Sequence, residues 1–208
     1  MKRRELLASA AILASYALSV PTLATAADDA ALMAPGALQE KSFGNEKAPV
    51  TVIEYMSMTC PHCQNFHMAT WPEIKKKYVD TGKIRFIFRE FPFDPRSTAA
   101  FMLARCVGED KWYPVVDLLF RSQATWARAQ DGRQALQSSM AVTGMSQKDF
   151  EACLTDQALL NKVTAVANKG KELGVDSTPT FFINGKKYAG ALPLDEFSKI
   201  VDPLLPTE

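Results

Sequence analysis

The chain has 208 residues, with 24 Lys and Arg against 23 Asp and Glu, a net charge of +1 and four cysteines. So even a balance gives no electrostatic case for nucleic-acid binding. The length suits one well-cored domain, or one domain carrying an insertion.

Met1-Lys2-Arg3-Arg4 is a basic start, Leu6 to Val20 is apolar and rich in Ala and Leu, and Ala24-Thr25-Ala26 is a small-residue cleavage pattern. This is the layout of an export signal over residues 1–26, with the mature chain starting at Ala27. The apolar run is short and mildly hydrophobic, which favours a cleaved signal over an anchor. Arg3-Arg4 leaves the Sec and twin-arginine routes both open, with Sec slightly ahead, and either leads out of the cytoplasm. Losing the segment removes three basic residues and one acidic one, turning the net charge from +1 to −1. No later segment is long and apolar enough to span a membrane, and no cysteine stands at the cleavage site. An even number of cysteines in an exported chain fits a compartment where disulfides persist.

Residues 27–47 read as a polar, Ala-rich flexible arm ending in a turn, with a short edge strand around Leu38 to Ser42. Val50 to Ser57, β-branched and aromatic, reads as a buried strand. It runs into Cys60-Pro61-His62-Cys63, where a helical pattern begins. Cys60 falls at the helix N-cap, and Pro61 suits the first helical position because its missing N–H needs no partner there. Unpaired amides and the positive end of the helix dipole then favour a thiolate at Cys60. His62 adds a cation or a hydrogen-bond donor. Cys63, one turn further in, is shielded and placed to close a disulfide with Cys60. A dithiol built this way is poised for thiol–disulfide exchange.

Three other uses of these cysteines compete. A structural zinc site needs four ligands, whereas Cys106 and Cys153 are isolated and the only histidines are His62 and His67. Cys60, Cys63 and His67 would make at most an incomplete copper or zinc site. A c-type haem would need His directly after Cys63, where Gln64 stands. A static disulfide over so tight a loop would contribute little through chain entropy. Redox chemistry without a cofactor or metal is the preferred reading.

Phe66 to Val79 continues the helix, with Trp71-Pro72 expected to kink it rather than end it. Lys83 to Phe91 is a second strand, completing a βαβ unit with the dithiol at the carboxyl end of its first strand. Helical spacings of three and four then recur over Arg96–Val107, Lys111–Arg121, Arg133–Val142, Ser146–Leu154 and Asp156–Leu173, with Ser146 and Asp156 as N-caps. Trp112, Tyr113, Phe120 and Trp126 read as core of this block rather than a cofactor box. After Gly174 the pattern returns to strand: Ser177 to Ile183, an Asn184-Gly185 hairpin turn, Lys186 to Gly190, and a closing helix over Pro193–Leu205.

Cys-Pro-His-Cys at 60–63, the element order and the later Thr178-Pro179-Thr180 together resemble the DsbA family of periplasmic thiol:disulfide oxidoreductases, from about Val50 to Pro203. The resemblance implies an α/β thioredoxin-like fold over residues 48–92 and 174–208, interrupted by a helical insertion over 93–173 between its βαβ and ββα halves. It makes Pro179 a cis-proline lying against the dithiol, with Thr178 offering backbone groups to an extended substrate peptide. Sequence alone leaves Pro179 open to an ordinary trans bond. Glu54 matches the family's acidic residue on the strand beneath the dithiol; half-buried, its pKa would rise and it would exchange protons with Cys63. The implied activity is periplasmic oxidation of reduced, unfolded exported proteins by a Cys60–Cys63 disulfide. The implied partner is a membrane reoxidising enzyme of the DsbB type, the chain itself acting as a monomer. An isomerase or reductase of the same fold is the alternative; only a short arm precedes Val50, where the isomerase kind has a dimerisation domain. Thr178 stands where strong oxidases of the family often have valine, and His67 where some relatives have glutamate; both bear on the redox potential, not on the reaction class. Cys106 and Cys153, on separate helices of the insertion, are expected to pair as a structural disulfide, with two buried free thiols as the alternative. Some family members carry such a second disulfide. Closing that loop would contribute on the order of 4 kcal/mol in the chain-entropy model.

Overall fold

A computed structural model describes residues 30–34 and 36–207. The export signal read at 1–26 and the first three residues of the arm lie outside the described residues.

Five strands form one mixed sheet: β1 (Lys41–Phe43), β2 (Val50–Met56), β3 (Ile84–Glu90), β4 (Thr180–Ile183) and β5 (Lys186–Ala189), in the order β1-β3-β2-β4-β5. β2 and β3 are parallel, and the other neighbours are antiparallel. β2 is central and Val/Ile/Tyr-rich because both faces of the sheet are covered. Val50, Val52 and Met56 face the larger core with Phe86, Phe88 and Phe181. Ile53 and Tyr55 face a second cluster with Ile87, Phe91, Phe182 and Leu32. Alternation along the strand puts Glu54 on the Val52–Met56 side, in register with Phe88 and Phe181.

After β2 the chain enters α1 (Pro61–Asn65), a π-helical turn over Phe66–Thr70, α2 (Trp71–Ile74) and a second π-helical turn over Lys75–Val79, with no break in helical backbone. Pro72 does not end the helix. The turn before it is widened, so that the Trp71 N–H donates to the Phe66 carbonyl five residues back.

Between β3 and β4 the chain is helical: α3 (Pro95–Cys106), a 3-10 turn over Glu109–Lys111, α4 (Trp112–Arg121), α5 (Gln123–Trp126), α6 (Gly132–Ala141), α7 (Gln147–Leu154) and α8 (Gln157–Glu172). Asp94, Asp131, Ser146 and Asp156 cap α3, α6, α7 and α8, each side chain accepting from an amide three residues on. Each such cap is worth about 1 kcal/mol. Trp112, Phe120 and Trp126 are fully buried, as core residues of this block. A disulfide joins Cys106 on α3 to Cys153 on α7 across a sequence separation of 47.

The Asn184-Gly185 turn has positive φ at both residues, 42° and 81°, the geometry of a tight right-twisted hairpin. Helix α9 (Leu194–Val201) and a 3-10 turn over Asp202–Leu204 close the chain.

One expectation is corrected. The described part of the lead-in over residues 27–47 is a pinned segment, not a flexible arm. Leu32 is buried in the second cluster, and its carbonyl accepts from Arg89 at 2.7 Å. Glu40 pairs with Arg89, Arg105 donates to the Gln39 carbonyl, and Lys41 pairs with Glu109. Its partners lie tens of residues away in sequence, so local polarity gave no sign of them.

Candidate active site

The site grows from the point where β2 ends and α1 begins. Cys60 is the N-cap of α1, with extended backbone (φ −77°, ψ 120°) and Pro61 in the first turn. At an N-cap the side chain faces the amides of the second and third helical residues, His62 and Cys63. In most helices a hydroxyl or carboxylate oxygen fills that place; here a sulfur stands at it, with no capping hydrogen bond in the thiol form.

The two sulfurs have opposite surroundings. Cys60 is partly exposed, and its S–H donates to the Thr178 carbonyl at 3.2 Å. Cys63 is buried, with its sulfur accepting from the Ser57 N–H at 3.5 Å. The Cys60 thiol is lowered from its ordinary value to about 5, chiefly by a hydrogen bond from Cys63, helped by Thr178 and the backbone N–H groups of Cys63 and His62, against partial burial. Thr178 Oγ1 is buried without a partner in this thiol form. It is thus free to donate to the sulfur once Cys60 ionises. Burial pushes the Cys63 thiol well up, and the hydrogen bond to Cys60 and the nearby Glu54 charge add to the rise.

Glu54 lies beneath the pair, 1% exposed, with Oε2 unpartnered. Its pKa is raised well above the ordinary carboxyl range, by burial first and by the Cys60 charge second. Burial thus favours the protonated carboxyl over the anion. The Thr178–Pro179 peptide bond is cis, and it sits directly before β4 on the far side of Cys60.

The His62 side chain is exposed, and what reaches the Cys60 sulfur is its backbone N–H. His67 is buried at 2% exposure among Phe120, Tyr113 and Phe88, with its nearest charge, Asp117, at 3.6 Å. Burial lowers its pKa from 6.5 to about 4. Among the described residues no three His, Cys, Asp or Glu side chains are grouped to hold a metal, so Cys60, Cys63 and His67 do not form the incomplete metal site weighed from sequence.

Three side chains that sequence reading did not single out hold the loop over 57–60, and all come from the helical block. Ser97 Oγ pairs with Ser57 Oγ at 2.9 Å and accepts from the Met58 N–H at 3.0 Å. Asp94, while capping α3, accepts from Thr59 Oγ1 at 2.5 Å. Gln123 Nε2 donates to the carbonyls of Met58 at 2.8 Å and Cys60 at 3.0 Å.

Residues 37–203 match the family described as Thioredoxin. The chain belongs to the DsbA family, with a thioredoxin-like fold. It is 33% identical to Wolbachia pipientis alpha-DsbA1, with a TM-score of 0.74 over 83% of this chain and 94% of that one. A Novosphingobium aromaticivorans structure titled protein-disulfide isomerase is 26% identical, with a TM-score of 0.70 over 79% of this chain and 97% of that one. A Rickettsia felis protein bearing a protein-disulfide oxidoreductase name is 35% identical over 78% of this chain but only 59% of its own length. The chain thus spans about six-tenths of the Rickettsia relatives it matches. Helices α3 to α8 lie between β3 and β4 of this sheet. Among the described residues of this chain, no helix is long and apolar enough to cross a membrane.

Proposed function

We propose that this DsbA-family protein is exported to the periplasm, there to donate a Cys60–Cys63 disulfide to reduced, unfolded client proteins. One observation carries the reading: a partly exposed Cys60 thiol lowered to about 5 stands beside a buried Cys63 thiol that is pushed up. A thiolate stabilised by a helix terminus favours the reduced form, because the disulfide gains nothing from those amides. Stabilising the product of its own reduction makes the protein an oxidant.

In the reaction a client thiolate attacks the Cys60 sulfur, the exposed member of the oxidised pair. The bond to Cys63 breaks, a client–Cys60 disulfide forms, and Cys63 leaves with the electron pair. Glu54, whose protonated form burial beneath the pair favours, supplies the proton that the buried sulfur needs. The client's second thiolate then attacks its own first sulfur and expels Cys60 as a stable thiolate. The client loses two electrons and the Cys60–Cys63 pair gains them. Thr178 and the cis Pro179 hold the client backbone beside Cys60. Reoxidation falls to a membrane partner of the DsbB type, and the protein works as a monomer.

Equilibration of the purified protein with reduced and oxidised glutathione tests the proposal, together with oxidation of a reduced two-cysteine peptide. An equilibrium lying toward the reduced protein, with stoichiometric oxidation of the peptide, is the expected result. An equilibrium lying toward the disulfide would make the protein a reductase instead. Efficient shuffling of a scrambled substrate with poor net oxidation would make it an isomerase.

A further inference from the structure

Cys60 is an unusual helix cap. A serine or aspartate at this position anchors itself with its own oxygen, whereas α1 has no side-chain cap hydrogen bond in the thiol form. The loop before it must therefore be fixed from elsewhere if the sulfur is to keep facing the amides of His62 and Cys63. The carbonyl of Cys60 is tied within the helix by the Gln64 N–H at 3.1 Å. From outside the helix it receives one side chain among the described residues, the carboxamide of Gln123 at 3.0 Å.

Gln123 is 5% exposed, sits at the start of the short helix α5, and lies 63 residues away in sequence. Both reaches of its Nε2 end on this loop, at Met58 and at Cys60. These carbonyls flank the residue pair whose rotation would swing the Cys60 sulfur away from the helix axis.

We propose that Gln123 is a positioning residue for the dithiol, its carboxamide hydrogens locking Met58 and Cys60 so that the Cys60 sulfur stays in the capping place of α1. The inference rests on Cys60 being the exchanging sulfur. It assigns to the helical block a part in setting how readily that sulfur ionises, beyond covering the core.

The test is Gln123→Met, which keeps length and apolar packing while removing both hydrogens. Gln64→Met is its control, since Gln64 Nε2 also ties the catalytic helix to the block, through the Phe120 carbonyl at 2.7 Å, yet its side chain does not touch the Cys60 backbone. Thiolate absorbance is followed against pH in the wild type and both variants, alongside the glutathione equilibrium. In Gln123→Met the Cys60 ionisation constant is expected to fall roughly three- to tenfold, with an equal loss of oxidising tendency. Gln64→Met leaves both values in place even if its unfolding midpoint drops. An unchanged ionisation constant in a folded Gln123→Met, or equal shifts in the two variants, overturns the inference. An ordinary thiol titration in the wild type overturns the proposed function itself, a separate outcome.

A measurement on the unmodified protein covers the case in which Gln123→Met does not fold. The side-chain NH2 resonance of Gln123 should move with the Cys60 titration and again on closing the disulfide; a resonance blind to both overturns the inference.

Discussion

Cys60 and Cys63 stand one helical turn apart and ionise in opposite directions, the first at about 5 and the second well above an ordinary thiol. The sign of the resulting pH dependence is fixed. A folded pKa below the unfolded value contributes stability that is complete above the unfolded value and is lost as pH falls through the folded one. The reduced protein should therefore be more stable than the oxidised one at about pH 8, with the gap closing as pH falls through about 5. Urea midpoints of both redox forms across that range check this, and a gap independent of pH would refute it. Trapping with iodoacetamide at about pH 6 should label Cys60 and spare Cys63.

Glu54 runs the other way. Its folded pKa is raised, so whatever it contributes to stability is present below the ordinary carboxyl range and fades as pH rises through the raised value. Glu54→Gln removes that cost. The variant should match the wild type in acid and exceed it by about 1–3 kcal/mol at alkaline pH. It should also release Cys63 more slowly during exchange with a client thiol. Urea melts at the two pH extremes and stopped-flow exchange kinetics measure the two effects.

Much of this arrangement was legible in the sequence, and the reasons differ from residue to residue. The strand before Cys60, the hairpin at Asn184-Gly185 and the caps at Ser146 and Asp156 each rest on local chemistry, so nearby residues announce them. Glu54 was singled out through the resemblance to the DsbA family, which puts an acidic residue on the strand before the dithiol, and it is buried there. Ser97 and Gln123 could not be placed: their partners lie 39 to 65 residues away, and a polar residue on a helix looks solvated until the fold brings a loop beside it. The widened turn ahead of Pro72 was equally hidden, since apolar spacing does not separate helix types. For His62 the sequence suggested a cation or a hydrogen-bond donor at the sulfur; its backbone N–H acts on the sulfur, and its side chain is exposed.

His67 predicts acid sensitivity of the fold. Its pKa is about 4 in the folded chain against 6.5 unfolded, so between those values the unfolded chain binds the proton and stability falls with pH. The loss reaches about 2–3 kcal/mol near pH 4.5, when each pKa unit counts about 1.4 kcal/mol. His67→Phe, filling the same aromatic setting of Phe120, Tyr113 and Phe88, should flatten that part of the stability profile. A variant with the wild-type pH slope between about pH 6.5 and pH 4 would show that the imidazole is not responsible.

The Cys106–Cys153 bond joins α3 to α7, and α3 carries Asp94 and Ser97 at its start. Replacing both cysteines with alanine should lower stability by about 2–4 kcal/mol. The loss is read from urea unfolding with the active pair in the same redox state in both proteins.

Because Cys63 has no surface of its own, the bridge has a single doorway, and it opens on the Cys60 side. On the proposed reading, clients arriving to be oxidised and the partner that recharges the protein would pass through it in turn, never together. A reduced client left bound at Cys60 would thus block recharging outright, and turnover in a crowded compartment would be governed by queueing at one atom.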